Sequence, residues 1–276
     1  MSGPLLNSWK DTLRQAYLDG RANVFLLHGA VGDFQWAGGT LGFVSLASAV
    51  SDLLGRSRDF VVRVDGAGDA VLDASVPQAS VRSAFSWARP GTGNPSEVLQ
   101  GNPIALLAAL GRLLRAPAHP CGVIVSQADL LLGSSSDALS RAAIAKVRMW
   151  LDAPEIRQTN NAAVLICDDP DQISSVLAHH PRLCRVEVGL PSAPVRVAAL
   201  RGELGDRLAG VDDAVLADVS RGHSLVQVAA ICSRLATAPP EEVARLFPSP
   251  AAASNETVAP SASEPAPSSD VESTDA

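Results

Sequence analysis

Five short apolar runs punctuate the chain, at 22–27, 60–64, 122–125, 162–167 and 183–188. The first reads as a buried strand, and each of the others has the length and apolar content of a strand. The intervals 43–54, 104–115, 137–151 and 171–179 carry apolar residues at helical spacing. Strand and helix therefore alternate, which predicts an α/β fold with a five-stranded parallel sheet sandwiched by helices. The first 20 residues place Trp9, Leu13 and Tyr17 on one face and Lys10, Asp11 and Arg14 on another, the pattern of an amphipathic helix. The stretch 66–102 breaks the alternation. Pro90, Gly91, Gly93, Pro95 and Pro103 mark it as a long loop with one short helix over 78–87.

Beyond Pro191 the strand signal stops. Residues 193–208, 212–219, 225–236 and 241–247 read as short helices, with Gly222 placed to end one and Ser224 to cap the next. The pattern divides the chain into an α/β domain over 1–190, a small all-helical lid over 191–248, and an acidic Ser/Pro/Ala tail over 249–276. That tail is too poor in apolar residues to offset the entropy of ordering, so disorder is expected there.

Composition narrows the chemistry. A hydrophobic content of 47% supports a sizeable core, and with only 4% aromatic residues that core must be aliphatic. The formal charge of −7 is uneven: Glu256, Glu264, Asp270, Glu272 and Asp275 lie in the tail without a base, leaving the rest near neutral. Such a body lacks the basic footprint that a phosphate backbone requires, which weighs against nucleic acid. Cys121, Cys167, Cys184 and Cys232 are widely spaced and read as reduced core thiols. Cys167, His179, His180 and Cys184 lack zinc-ligand spacing, so no metal is expected. With neither a signal peptide nor a membrane-spanning segment in the sequence, a cytoplasmic location is expected.

The most informative stretch is the turn after the first strand, His28-Gly29-Ala30-Val31-Gly32-Asp33. A phosphate-binding loop in this position needs G-x-x-x-x-G-K-[ST]: backbone N–H groups cradle the phosphates, the lysine neutralises them and the hydroxyl holds magnesium. Between Ala22 and Gly55 there is no lysine or arginine, and the chain has only two lysines, Lys10 and Lys146. Asp33 instead puts a negative charge where phosphate oxygens need cations.

The order of these pieces resembles the AAA+ ATPase module over residues 5 to about 247. Cys121-Gly122-Val123-Ile124-Val125-Ser126-Gln127 is similar to the Walker B strand, with Ser126 and Gln127 where the family ends in an acidic pair. The run 161–168 resembles the sensor strand, 186–191 with Arg196 the strand-to-lid junction, and 220–225 the lid's T-x-G-x-S pattern. Trp9, Tyr17, Gly20 and the run 25–33 resemble the N-terminal half of bacterial tandem AAA proteins, in which the first module is degenerate. The resemblance implies a P-loop NTPase fold with a degenerate Walker A, a pseudo-ATPase engaged in protein–protein interaction.

Three groups of candidate residues follow. Gly29, Gly32, Gly38 and Gly39 are either backbone-amide donors to a nucleotide or turn glycines. Asp168, at the end of the fourth strand, either faces a ligand at the carboxyl edge of the sheet or belongs with Asp169 and Asp171 to a helix cap. Arg182 and Arg185, which the resemblance places near a trans-acting arginine, are either that finger or surface arginines. The resemblance also makes Arg221 a candidate lid sensor. No catalytic residue stands out: there is no G-x-S-x-G elbow or H-E-x-x-H motif.

The leading expectation is a catalytically degenerate AAA+-like module, an interaction or regulatory subunit beside an active AAA+ ATPase or its own copies, needing no cofactor. The alternatives are an atypical ATP-binding ATPase, with ATP and Mg as cofactors, and a clamp-loader-type DNA-replication subunit.

Overall fold

The computed structural model describes residues 8–38, 41–66, 69–88, 102–134 and 137–247. The expectations for Gly39, most of the insertion's loop and the tail fall outside these residues.

A six-stranded sheet forms the centre, in the order β5-β4-β6-β7-β1-β8. Its strands are β1 (Val24–Gly29), β4 (Phe60–Val64), β5 (Ala70–Ala74), β6 (Cys121–Val125), β7 (Ala162–Ile166) and β8 (Leu183–Val188). The five expected strands are all present and mutually parallel. The sixth, β5, pairs antiparallel with β4 and forms an edge of the sheet inside the stretch read from sequence as a loop. Its sequence, Ala-Val-Leu-Asp-Ala, is too short and too mixed to announce a strand. Pairing with β4 supplies the backbone hydrogen bonds that local propensity does not.

The central strands read as unbroken apolar runs because both faces of the sheet are covered. Leu26, Val123 and Leu165 point into one core; Phe25, Leu27, Ile124 and Val164 point into the other. The first core is closed by α3 (Gln78–Ala88), α4 (Pro103–Leu114), α5 (Ala128–Leu132) and α6 (Ala138–Asp152); the second by α1 (Trp9–Leu18) and α2 (Leu46–Gly55). Two further single-turn helices, α7 (Pro154–Arg157) and α8 (Ser175–Ala178), lie between strands.

Helix starts follow capping chemistry. Ser8, Ser45, Asn102 and Asp137 each accept a first-turn amide at α1, α2, α4 and α6. Asn161 joins the base of the sheet. Its side-chain amide donates to the carbonyls of Leu113, Leu114 and Ala116, and its oxygen accepts the Cys121 amide at 2.8 Å.

After β8 come α9 (Ala193–Leu204), a 3-10 turn (Gly205–Leu208), α10 (Asp213–Val219), α11 (Leu225–Thr237) and α12 (Pro240–Leu246), which bury a core of their own around Leu200, Leu216, Val228 and Leu235. Residues 43–44, expected at the start of a helix, instead pair as β3 (Phe43–Val44) with β2 (Gln35–Trp36) in a small hairpin, and α2 begins at Leu46. Ser45 explains the boundary, since its extended backbone and its bond to the Ser48 amide fix the helix start. Trp36 and Phe43 pack into the C-terminal helical core, so the hairpin joins the N-terminal chain to those helices.

Candidate functional site

Strand β1 ends on Gly29, whose φ of +96° and whose approach to the Val188 carbonyl exclude a side chain: a Cβ would stand 2.8 Å from that oxygen. The Ala30 amide donates to the same carbonyl at 2.8 Å, pinning the loop to the end of β8. Gly32 has open space around it, so backbone geometry does not explain its choice. Gly38, at φ +75°, belongs to the turn of the β2–β3 hairpin, where the Leu41 amide donates to its carbonyl. The candidate glycines are thus divided between a strand end and a hairpin tip.

Asp33 follows Gly32, and its carboxylate is fully engaged. One oxygen accepts the amides of Phe34 (2.9 Å) and Val226 (2.8 Å); the other accepts Leu225 (2.9 Å). Leu225 and Val226 open α11, whose third amide goes to the Ser224 hydroxyl and whose fourth goes to the Ser224 carbonyl. Ser224 and Gln227 complete a reciprocal capping box. All four N-terminal amides of the helix are satisfied, two of them by a carboxylate from the other end of the chain, where the helix dipole favours negative charge.

Beside this contact lies a cavity of about 650 Å³ between the start of α1, the hairpin and the β8–α9 junction. Its walls are mainly apolar, from Trp9, Phe34, Trp36, Leu190, Pro191 and Val195, with Asp33, Gln35, Lys10 and Ser192 as polar members. Gln35 is held in place by accepting the Trp9 indole N–H at 3.0 Å and donating to the Phe34 carbonyl. The Lys10 ammonium stands 5.5 Å over the Trp9 ring, and desolvation, then repulsion from Arg56, hold its pKa below the ordinary lysine range. Arg196, buried at the junction, donates to the Pro191 carbonyl and the Ser220 hydroxyl, fixing the chain where it leaves the sheet.

The remaining candidates stand apart from this cavity. Asp168 is exposed at the carboxyl edge beyond β7, and its neighbour Asp169 closes a local turn by accepting the Asp171 amide at 2.9 Å. Ser126 and Gln127 follow β6, with Gln127 in a left-handed conformation at φ 51°. Arg182 donates to the carbonyls of Leu151 and Asp152 at the end of α6, whereas Arg185 is exposed on edge strand β8. Arg221 is exposed and paired with Asp218. Burial pushes the Cys121 thiol from 9.0 up to about 12. Cys167 is pushed equally high by burial and then by Asp129, Asp168 and Asp169. Among the described residues no three His, Cys, Asp or Glu side chains gather as metal ligands, and no helix is long and apolar enough to cross a membrane.

Sequence reasoning overlooked the aromatic hairpin. Phe34, Trp36 and Phe43 fall within ten positions of a chain that is otherwise poor in aromatics, and that local density is the signal that marks the segment. No local signal pairs Asp33 with α11.

A parallel-dominated α/β sheet with its loop after β1 at the carboxyl edge and helices on both faces has an AAA+-like fold. The chain belongs to the family described as AAA+ chaperone, N-terminal Rossmann-like domain, whose model matches residues 3–189. Comparison with curated proteins returns no match.

Proposed function

We propose that the chain is a catalytically degenerate AAA+ module that serves as an interaction or regulatory subunit, paired with an active AAA+ ATPase or with its own copies. In this reading residues 1–190 form the α/β domain and 191–248 the lid. The observation that carries it is the loop after β1: it has no lysine, and Asp33 turns its carboxylate onto α11. A triphosphate there would lose the charge-assisted contacts of a lysine and of magnesium, about 1.5–3 kcal/mol each, and would meet a like charge. Ser126 and Gln127 after β6 leave no acidic pair to hold the metal or polarise water.

Calorimetric titration with ATP and magnesium tests the reading. No heat of binding at micromolar nucleotide is expected; micromolar affinity or turnover by the isolated chain sinks it. Co-purification of an AAA+ ATPase, or self-association, is the expected positive counterpart.

The cavity supports a second reading, retained nucleotide binding without hydrolysis. Its aromatic walls suit a planar base, and Lys10 supplies one cation on its border. On that reading Lys10→Ala abolishes a measurable ATP signal; on the first there is no signal to abolish.

A further inference from the structure

We propose that Asp33 is an internal latch: its carboxylate binds the start of α11 and holds the C-terminal helices against the loop after β1. Asp33 accepts the Leu225 and Val226 amides across a separation of more than 190 residues, and among the described residues no other acceptor is bonded to those two groups. A carboxylate at a helix N-terminus gains from both the hydrogen bonds and the dipole. Its third bond, from the Phe34 amide, fixes the carboxylate from the loop side, so movement of the loop is passed to the helix.

Two further contacts reinforce the latch through the same hairpin. Trp36 lies directly on Gly202 of α9, and Gly42, at φ +58°, lies against the Glu203 carboxylate. Each uses a glycine to allow the close approach. The loop, hairpin and helices are thereby joined at three points, none of which requires a nucleotide. The setting of the helices over the sheet is therefore supported by contacts of the chain with itself.

The inference is separable from the proposed function, because its test contains no nucleotide. Amide hydrogen exchange is measured by NMR on the native protein, on Asp33→Ala and on Asp33→Asn. In Asp33→Ala the amides of Leu225 and Val226 should exchange about tenfold to hundredfold faster, the equivalent of hydrogen bonds to a charged acceptor. The amides of Gln227 and Val228, bonded within the helix end, should change far less. Asp33→Asn keeps a neutral acceptor and should give an intermediate rise. This variant carries the test if the alanine change unfolds the protein. Unchanged exchange at Leu225 and Val226 in the folded variants overturns the latch, as does an equal rise along the whole of α11, which would mean general fraying. A nucleotide that bound elsewhere in the cavity would refute the proposed function and leave this result standing.

Discussion

The indole of Trp36 lies so close over Gly202 that a Cβ on that glycine would stand 2.3 Å from the ring's Cζ2 atom. Gly202 sits inside α9, where alanine is ordinarily favoured over glycine by about 1 kcal/mol. Here the sign should reverse.

Gly202→Ala should lower stability by about 1–3 kcal/mol, the range for overpacking a filled site, because the indole must leave its seat on the helical core. Thermal unfolding measures the loss, and a red shift of tryptophan emission would report the ring moving toward water. A gain in stability would show that the hairpin yields without cost.

Asn161 is fully buried, and both ends of its amide are used at the base of the sheet. Asn161→Ala takes this partner from the Ala116 carbonyl and the Cys121 amide, while the Leu113 carbonyl keeps the Ala116 amide and the Leu114 carbonyl keeps the Thr159 hydroxyl. A loss of about 2–4 kcal/mol in chemical denaturation is expected, since unpaired buried polar groups carry a desolvation cost beyond the lost bonds. Retention of wild-type stability would mean that water replaces the side chain.

Gln127 holds left-handed backbone at the end of β6 without a side-chain bond to cap α5. For a residue with a Cβ this conformation costs about 1–2 kcal/mol. Gln127→Gly should therefore stabilise the protein by about 0.5–1 kcal/mol once the greater chain entropy of glycine is subtracted. A lower midpoint of denaturation would assign the side chain a role that the geometry does not show.

Burial raises the Cys121 thiol from 9.0 to about 12, so the folded protein keeps it protonated while the unfolded chain ionises near 9. A raised folded-state pKa gives stability that is present in full below the unfolded value and is lost as pH climbs through the folded one. Stability should fall between about pH 9 and pH 12, by at most about 1.4 kcal/mol per pH unit for this thiol. Denaturation curves across that range, compared with Cys121→Ala, isolate the effect; identical slopes would exclude it. In the native protein at neutral pH, half-buried Cys184 should react with a thiol reagent before Cys121 does.

Much of the fold was legible because the local signals agree. The apolar runs at β6 and β7 were unambiguous since a strand covered on both faces leaves no polar position to blur it, and β1, β4 and β8 kept enough apolar positions around His28, Arg63, Arg185 and Glu187 to be read as strands. The helices over 103–114, 138–152 and 225–237 were equally plain, as period and caps coincide. Strand β5 and the β2–β3 hairpin were not visible, because pairing partners stabilise them more than their own residues do. Of the candidate site, the missing lysine could be read directly, whereas the engagement of Arg182 with the end of α6 and of Arg221 with Asp218 could not.

Asp33 marks the boundary between the two kinds of information. The sequence alone determined that a negative charge follows the glycine turn and that no lysine answers it, because residue identity fixes charge. Only the tertiary structure decided what that charge does. A helix N-terminus carries unpaired amides wherever it ends, and the folding of the chain brought the start of α11 within 2.8 Å of this carboxylate.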